Sequence, residues 1–311
     1  MALQPERPAR RNLQPNPAHT DSGRSERRHL MPIMTNPAQA SRQASLMPLC
    51  DAHTHPGEDA EWLERLENGI LSLICASTPP EAEALFTRLK RISKACPENN
   101  GNSLSSCLIP TAGLHPWHAD TYSVSDMERW LCSCPVIGEI GMDSVWCSVP
   151  LSVQERVFRE QLALAVKLCR PVILHTKGQE ARIARILREY PNTYLIHWYS
   201  CEESLEDYIR LGCYISIGPD VWWNPAVQHA AKAVPADRIL IETDGMAAVS
   251  WAFCEAPDQK RRPLPGSVSG ALDAVLLETA ALRHISAQAA RALFFRNLTE
   301  GFLQSMNAAH Q

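Results

Sequence analysis

Residues 49–55 have the sequence Leu-Cys-Asp-Ala-His-Thr-His, in which a short apolar run leads directly into three ionisable side chains, Asp51, His53 and His55. The same arrangement recurs further along the chain at Glu139, His175, His197 and Asp244. Barrel enzymes assemble their active sites from ionisable residues at the carboxyl ends of parallel strands. The pattern therefore predicts a parallel α/β barrel whose active site lies at one rim.

The spacing along the chain supports the same fold, because short apolar runs alternate with stretches of helical periodicity from Leu49 onward. Strands are predicted over residues 49–51, 70–75, 108–112, 136–138, 172–174, 193–196, 213–217 and 239–241. Helices are predicted between them and, after a loop over 250–267, at 269–283 and 286–303. A length of 311 residues accommodates two small domains or one barrel, and eight alternations favour a single (β/α)8 TIM barrel over residues 49–305.

Residues 1–48 differ from the rest, since they are rich in Pro and Arg and contain neither an aromatic residue nor an apolar periodicity. This composition predicts a disordered N-terminal extension. An organelle transit peptide and a nucleic-acid-binding arm are alternatives, although few apolar residues are available for an amphipathic helix. Met47 directly precedes the first predicted strand and is an alternative site for the start of translation.

The composition is that of an ordinary soluble globular protein, with 45% apolar residues, 21% charged residues and a formal net charge of −4. Such a balance excludes a protein that coats nucleic acid or membrane by bulk charge. Eleven scattered cysteines without a Cys-x-x-Cys pair indicate a reduced chain. Neither a membrane-spanning apolar run nor the apolar core of a secretory signal is present, so a cytoplasmic location is predicted.

The ionisable residues at the predicted rim form a set that suits two divalent cations. The predicted ligands are His53, His55 and Asp244 for the first cation, His175 and His197 for the second, and Glu139 between them. Both imidazoles of the His-x-His pair reach one cation if the strand departs from regular alternation there. Two cations about 3.5 to 4 Å apart can share a hydroxide nucleophile and stabilise the entering and leaving oxygens of a phosphoryl displacement.

Glu139 and Asp244 are also the candidate catalytic residues, because a carboxylate can bridge cations. Neither serine nor cysteine is needed as a nucleophile, and no cysteine has a paired base in the sequence. Mixed imidazole and carboxylate sites accept several cations, so Mg²⁺, Zn²⁺ and Mn²⁺ all stay open.

A series of longer motifs follows in order along the chain. They are Asp51-Ala52-His53-Thr54-His55, Gly113-Leu114-His115-Pro116, Gly138-Glu139-Ile140-Gly141-Met142-Asp143, Gln154 to Gln161 with Phe158 between them, Pro171-Val172-Ile173-Leu174-His175 and Glu242-Thr243-Asp244. Through these motifs residues 49–302 resemble the TatD family of metal-dependent deoxyribonucleases, within the wider amidohydrolase-like barrels. The resemblance implies a (β/α)8 barrel that hydrolyses DNA phosphodiesters through a metal-bound hydroxide, often as a 3′ to 5′ exonuclease. It assigns the metal ligands to the same six residues.

Glutamate at position 139 favours the nuclease branch of the resemblance, because many amidohydrolases that act on amides or rings carry a carbamylated lysine there. Three segments depart from the family pattern. Lys177 replaces an arginine, and lysine binds phosphate as a point charge without the bidentate fork. Trp198-Tyr199-Ser200-Cys201 and Gly245-Met246-Ala247 also differ from the usual family segments. These departures border the predicted pocket, so they affect the substrate more than the metal ligands.

Further residues are candidates for contact with the substrate or the ligands. His115 is expected to contact phosphate or orient a ligand, while Asp143 and Glu242 are expected to hold imidazole tautomers. A purely structural role is the alternative for all three residues. Tryptophans 117, 146, 198, 222 and 223 fall in predicted rim loops, where they would either stack on nucleobases or pack against helices.

Three functions are consistent with these residues. The leading hypothesis is a two-metal nuclease that acts on DNA, as a single strand or at 3′ ends. The second is a metal-dependent hydrolase of a small phosphoester, amide or lactone, favoured by the near-neutral charge and the altered pocket segments. The third is a partner-dependent nuclease subunit, because proteins that resemble the TatD family can be encoded beside other proteins of a genome-defence complex.

Overall fold

Eight parallel strands lie side by side in the order in which they occur along the chain, as the sequence predicts. The computed structural model describes residues 47–95 and 107–304, so the predicted extension lies outside the described residues except for its last two positions. The strands are β1 (Cys50–Thr54), β2 (Leu71–Ala76), β3 (Leu108–Ala112), β4 (Val136–Asp143), β5 (Val172–Lys177), β6 (Tyr194–Ile196), β7 (Tyr214–Ile217) and β8 (Ile239–Ile241).

Contacts between the first and last strands complete the barrel. The backbone N–H of Asp244, just beyond β8, donates to the carbonyl oxygen of His53 in β1 at 3.1 Å. The backbone N–H of Thr243 donates to Oδ1 of Asp51 at 2.8 Å. The predicted (β/α)8 architecture is therefore confirmed, with the end of β8 tied to the His-x-His segment of β1.

Helices alternate with the strands and cover the outside of the barrel. They are α1 (Asp59–Glu67), α2 (Pro79–Ala95), α3 (Val124–Ser133), α4 (Leu151–Leu168), α5 (Glu180–Leu187), α6 (Leu205–Arg210), α7 (Pro225–Ala233), α8 (Met246–Cys254), α9 (Val268–Leu282) and α10 (Ala287–Arg296). The strands supply the buried centre of the core, and every residue of β2 and β4 is buried. Among the described helices, none is long and apolar enough to cross a membrane.

The predicted loop over 250–267 is wrong in its first part, because helix α8 extends through residue 254. Phe253 of this helix packs on Trp222 with ring centroids 4.1 Å apart, and Val249 is completely buried. The helix was not predicted because the proline-containing segment that follows it makes the local sequence resemble a loop. Tertiary contacts of its apolar side chains stabilise α8 beyond what its short length would provide.

Three strands continue further than predicted, and this changes the positions of the candidate ligands. Strand β4 runs to Asp143, so Glu139 lies inside the strand and not after it. Its ladder with β5 is irregular between Ile137 and Ile140. A second irregularity lies in β1 between Asp51 and Thr54. The expected departure from regular alternation at His53 is therefore confirmed, and an equivalent break occurs at Glu139.

The close approach of β4 and β5 requires a glycine at position 141. Gly141 has a φ of +153°, and a Cβ atom built there would overlap the backbone carbonyl oxygen of His175. Two glutamines of α4, the helix that follows β4, hold the adjacent loops. Gln154 accepts a hydrogen bond from the backbone N–H of Asp143, and Gln161 accepts one from that of Leu114. These motif residues thus shape the site without entering it.

Candidate metal centre

All six predicted ligands converge at the carboxyl end of the barrel, around the buried carboxylate of Glu139. Its Oε2 lies 3.4 Å from Nε2 of His53 and 3.3 Å from Nε2 of His55. Asp244 completes this side, with Oδ1 at 3.3 Å from His53 Nε2 and 3.5 Å from His55 Nε2. The predicted set for the first cation is therefore one compact cluster.

The other oxygen of Glu139 faces a different group of imidazoles. Its Oε1 lies 2.6 Å from Nδ1 of His175 and 2.6 Å from Nε2 of His197. His115 also faces this oxygen, with its Nε2 at 3.6 Å. The two oxygens of one carboxylate thus face two separate sets of imidazoles, which is the arrangement of a bridging ligand.

Three buried polar atoms of the centre have no hydrogen-bond partner. They are both ring nitrogens of His53, in a fully buried side chain, and Oδ1 of Asp244. Buried polar groups without a partner are costly, and they are rare unless they bind an ion, water or ligand. An imidazole nitrogen and a carboxylate oxygen are common ligands of divalent cations, so this unmatched pair fits a cation.

Three groups of donor atoms lie close enough to hold a cation, with all atoms of a group within 4.8 Å of one another. The groups are His53, His197 and Asp244; His53, His55 and Glu139; and His115, Glu139 and His175. Two differences from the predicted ligand sets stand out. His197 belongs to a group with His53 and Asp244, and His115 belongs with His175.

Two further carboxylates orient the histidines from outside the cluster. Oδ2 of Asp143 lies 3.1 Å from Nε2 of His175, and Oε1 of Glu242 lies 3.3 Å from Nδ1 of His197. Glu242 also accepts a hydrogen bond from the Ser216 hydroxyl at 2.5 Å. In each histidine, one ring nitrogen faces Glu139 and the other faces Asp143 or Glu242. A carboxylate in that second position is expected to hold the imidazole in one tautomer.

The local charges keep the carboxylates ionised. Burial alone would raise the pKa of Glu139, but the imidazoles of His197, His115 and His175 outweigh it and hold that pKa well below its usual value. Burial would also raise the pKa of Asp244, but the His53 imidazole outweighs burial and keeps that pKa below its usual value. Both side chains are therefore anionic ligands at neutral pH.

His115 differs electrostatically from the other imidazoles. Burial is the main cause that lowers its pKa, to about 4, although Glu139 acts in the opposite direction. Its ring is therefore neutral at neutral pH and can donate or accept a hydrogen bond without carrying charge. His118 is the last residue of the short 3-10 helix Pro116–His118 and belongs to none of the three donor groups.

Lys177 and the predicted tryptophans occupy the rim above the cluster. The Lys177 ammonium donates to Oγ of Ser200 at 2.6 Å and lies 5.3 Å from the ring centroid of Trp146. Trp117 and Trp146 are 45% and 51% exposed, whereas Trp198 and Trp222 are buried. Packing is therefore confirmed for Trp222, and the rings of Trp117 and Trp146 are partly open to solvent.

Sequence reasoning missed two residues that matter here. Trp251 lies on α8, within the segment predicted as a loop, and is 45% exposed beside the rim. Arg65 is almost completely buried and donates to Oδ2 of Asp51 at 2.8 Å, which fixes the first residue of the Asp-x-His-x-His motif. The only sequence signal for Arg65 is a charge on the apolar face of α1.

A parallel (β/α)8 barrel with histidines and carboxylates gathered at its carboxyl rim defines the class of metal-dependent hydrolases. The chain belongs to the TatD related DNase family, whose model matches residues 50–302. The predicted family and enzyme class, the metal-dependent hydrolases and nucleases that act on ester bonds, are therefore confirmed.

Individual relatives agree with this assignment. The uncharacterized metal-dependent hydrolase YabD of Bacillus subtilis is 32% identical over 144 residues, which span 42% of this chain and 56% of that protein. The 3′-5′ ssDNA/RNA exonuclease TatD of Edwardsiella piscicida is 30% identical over 193 residues, 58% of this chain and 68% of that protein. The aligned segment thus covers little more than half the length of the Bacillus subtilis protein.

A solved structure of the same fold is the TatD homologue YJJV of Escherichia coli K12. It superposes with a TM-score of 0.62 over 82% of this chain and 97% of that chain, at 22% sequence identity. This similarity establishes the shared barrel architecture.

Proposed function

We propose that this enzyme is a two-metal nuclease that removes nucleotides from the 3′ end of single-stranded DNA. The observation that carries the proposal is the position of Glu139, whose two oxygens face two different sets of imidazoles. A single-metal site would need only one of these sets. The name of the Edwardsiella piscicida relative, a 3′-5′ ssDNA/RNA exonuclease, supports the polarity and the single-stranded substrate.

The chain's own residues supply ligands for both positions. His53, His55 and Asp244 would hold one cation and His175 and His197 the other, with Glu139 shared. His115 lies next to the second position, and His197, beside Glu139 Oε1, is also within reach of His53 and Asp244. A divalent cation bound there lowers the pKa of a water molecule and stabilises negative charge on the phosphate oxygens. Mg²⁺, Mn²⁺ and Zn²⁺ are all compatible with this mixture of imidazole and carboxylate ligands.

Asp244 is the carboxylate best placed to accept a proton during the reaction. Its side chain is 18% exposed, compared with 1% for Glu139, so it borders the space open to substrate. Burial would raise its pKa, but the His53 imidazole outweighs burial and holds that pKa low, so the side chain is ionised at neutral pH and offers a lone pair to the attacking water. Lys177 lies on the rim, where its ammonium can pair with a substrate phosphate.

Cleavage of end-labelled single-stranded DNA by the purified chain, with Mg²⁺, Mn²⁺ or Zn²⁺, tests this proposal. We expect a ladder that shortens from the 3′ end, disappears with chelator, and disappears in Glu139→Ala and Asp244→Asn. His118→Ala serves as the matched histidine control and should cleave normally. Metal content should be two ions per chain in the wild type and lower in Glu139→Ala.

Robust cleavage with chelator or by Asp244→Asn would overturn the mechanism. Turnover of a small phosphoester, amide or lactone much faster than that of DNA would favour the small-molecule alternative. Activity that appears only with a co-purified partner would favour the subunit of a genome-defence complex. The cytoplasmic location and the boundaries of the N-terminal extension stay predictions from the sequence.

A further inference from the structure

Two half-exposed tryptophans meet above the metal centre. Trp146 follows strand β4, and Trp251 lies on α8, which follows strand β8. Their ring centroids are 5.9 Å apart with an interplanar angle of 78°. Because β4 and β8 lie on opposite sides of an eight-stranded barrel, this contact bridges the mouth of the barrel.

Trp251 rests on a rigid support. Its ring makes a second edge-to-face contact, at 5.9 Å, with the buried ring of Trp198. The Trp198 indole nitrogen donates to Oδ1 of Asp220 at 2.7 Å, and Asn224 donates to the other oxygen of that carboxylate at 2.7 Å. A side chain at Gly218 would collide with the Trp198 ring, so the backbone packs directly against it. The Trp198 ring that contacts Trp251 is therefore held in place by the surrounding protein.

Trp146 is tied to the metal centre through one carboxylate. Its backbone N–H donates to Oδ1 of Asp143 at 2.9 Å, while Oδ2 of Asp143 lies 3.1 Å from His175. The Lys177 ammonium lies over the Trp146 ring, 5.3 Å from its centroid. An aromatic face and a cation thus adjoin each other beside the predicted ligands.

The exposed rings and the adjacent Lys177 ammonium together suit a ligand that has both apolar faces and negative charge. Trp146 and Trp251 are 51% and 45% exposed, although indole rings are favoured in buried positions. Single-stranded nucleic acid offers unpaired bases with free faces and a phosphate next to each base. Stacking on aromatic side chains is how such strands are commonly held, and it tolerates any base sequence.

We propose that Trp146 and Trp251 form a stacking subsite for the bases of single-stranded DNA, with Lys177 pairing to the adjoining phosphate. The inference rests on the proposed function and specifies how that site would select its substrate. Inside a duplex each base already has both faces covered by its neighbours. An unpaired base has free faces that can stack on the tryptophans, so the subsite favours single strands over the interior of a duplex.

Binding without catalysis tests the subsite directly. The probe is a 5′-fluorescein decamer of deoxyadenosine, titrated with the full chain in chelator and followed by fluorescence anisotropy. Trp146→Ala and Trp251→Ala should each bind about 5-fold to about 150-fold more weakly than the wild type, the range for loss of one stacked base. Trp251→Phe should retain much of the affinity, because it keeps an aromatic face. Leu277→Ala removes an exposed apolar side chain of α9 and should bind like the wild type.

An abasic strand separates stacking from a general loss of structure. The wild type should bind a decamer with abasic 3′ nucleotides more weakly than the intact decamer, and Trp251→Ala should discriminate between the two strands much less. Equal discrimination by Trp251→Ala, or unchanged affinity in both alanine variants, would overturn the subsite. Tighter binding of an RNA strand of the same sequence would overturn the assignment to DNA.

The two proposals fail in different ways. A wild type that cleaves the strand when loaded with metal, but whose alanine variants bind DNA normally, would overturn the subsite alone. A wild type that neither binds nor cleaves the strand would overturn the proposed function and the subsite with it. Circular dichroism melts of Trp146→Ala, Trp251→Ala and Trp251→Phe check that the variants compared are folded.

Discussion

Nε2 of His175 lies 3.1 Å from Oδ2 of Asp143, while Nδ1 of the same imidazole lies 2.6 Å from Oε1 of Glu139. A proton on Nε2 can therefore be donated to Asp143, which leaves Nδ1 with its lone pair directed at the cluster. The Trp117 indole nitrogen donates to the same Asp143 oxygen at 2.7 Å. Hydrogen bonds from protein side chains thus fix the tautomer and the direction of a predicted metal ligand.

Replacement of Asp143 by asparagine should lower both cation affinity and kcat/KM by about 10-fold to about 100-fold, the usual effect of losing such an outer partner. The reason is that the His175 ring loses its charged acceptor. Isothermal titration with Mn²⁺ and a nuclease assay measure the two quantities. Asp120→Asn, an exposed aspartate near the same rim, is the matched control. Unchanged cation affinity in Asp143→Asn would contradict this role.

Lys177→Gln should raise KM for single-stranded DNA and reduce the slope of log affinity against log salt by about one, as expected for the loss of one phosphate contact. The ammonium at the rim is the group lost, and kcat should change less because Lys177 belongs to none of the donor groups. Lys177→Arg should keep the charge and much of the affinity. Lys232→Gln changes an exposed lysine of α7 and should leave the salt slope unchanged. An unchanged slope in Lys177→Gln would rule out a phosphate contact.

Arg65→Met should lower the free energy of unfolding by about 3 to 5 kcal/mol, because it leaves the buried Asp51 carboxylate without its cation. The Arg65 guanidinium also donates to Ser72 at 2.8 Å and to Thr54 at 3.0 Å. Urea denaturation measures the change. Arg156→Met breaks an exposed pair with Glu160 and should cost no more than about 1 kcal/mol. Equal losses in both variants would show that burial of Arg65 contributes nothing special.

Glu64→Gln should cost about 1 kcal/mol of unfolding free energy at pH 7, the usual effect of losing a helix cap. The Glu64 carboxylate accepts hydrogen bonds at 2.8 Å from the backbone N–H groups of Val268 and Ser269, at the start of α9. Burial would raise the pKa of Glu64, but these hydrogen bonds outweigh it and lower that pKa below its ordinary value of 4.5. The stabilisation is therefore present above pH 4.5 and is lost as the pH falls through the lowered pKa.

Denaturation at a series of pH values tests the sign of this effect. The difference between wild type and Glu64→Gln should shrink towards zero as the pH falls below 4.5. Glu67→Gln changes an exposed residue of the same helix and should differ little from wild type at any pH. A difference that grew on acidification would exclude the ionised carboxylate as the cap.

The sequence pattern located the fold and the ligands through local signals. Apolar runs that alternate with helical periodicity predict eight strands, and each strand contains a run long enough to be recognised alone. His53, Glu139, His175, His197 and Asp244 are recognisable because a polar residue at the end of a buried run is unusual. Strand lengths were harder to predict, because the polar residues of the site interrupt the apolar runs before β1, β4 and β5 end.

Contacts between distant segments could not be predicted in this way. The assignment of His197 and His115 to particular donor groups depends on side-chain directions set by the register of β4 with β5 and by the break near Glu139. Arg65 contacts Asp51 across 14 residues of sequence, and Trp146 meets Trp251 across more than one hundred. Local periodicity carries no information about such pairs.

The order of ionisable residues along the chain therefore determined that a metal-dependent hydrolase barrel would have its site at one rim, because parallel strands bring all their carboxyl ends to the same side. Closure of the barrel determined which of these side chains lie close together. Only when β8 meets β1 does Asp244 reach His53, and only then do the segments after β4 and β8 face each other across the mouth. These distances arise from packing of the whole chain, so they exist in the folded barrel and in no shorter stretch of its sequence.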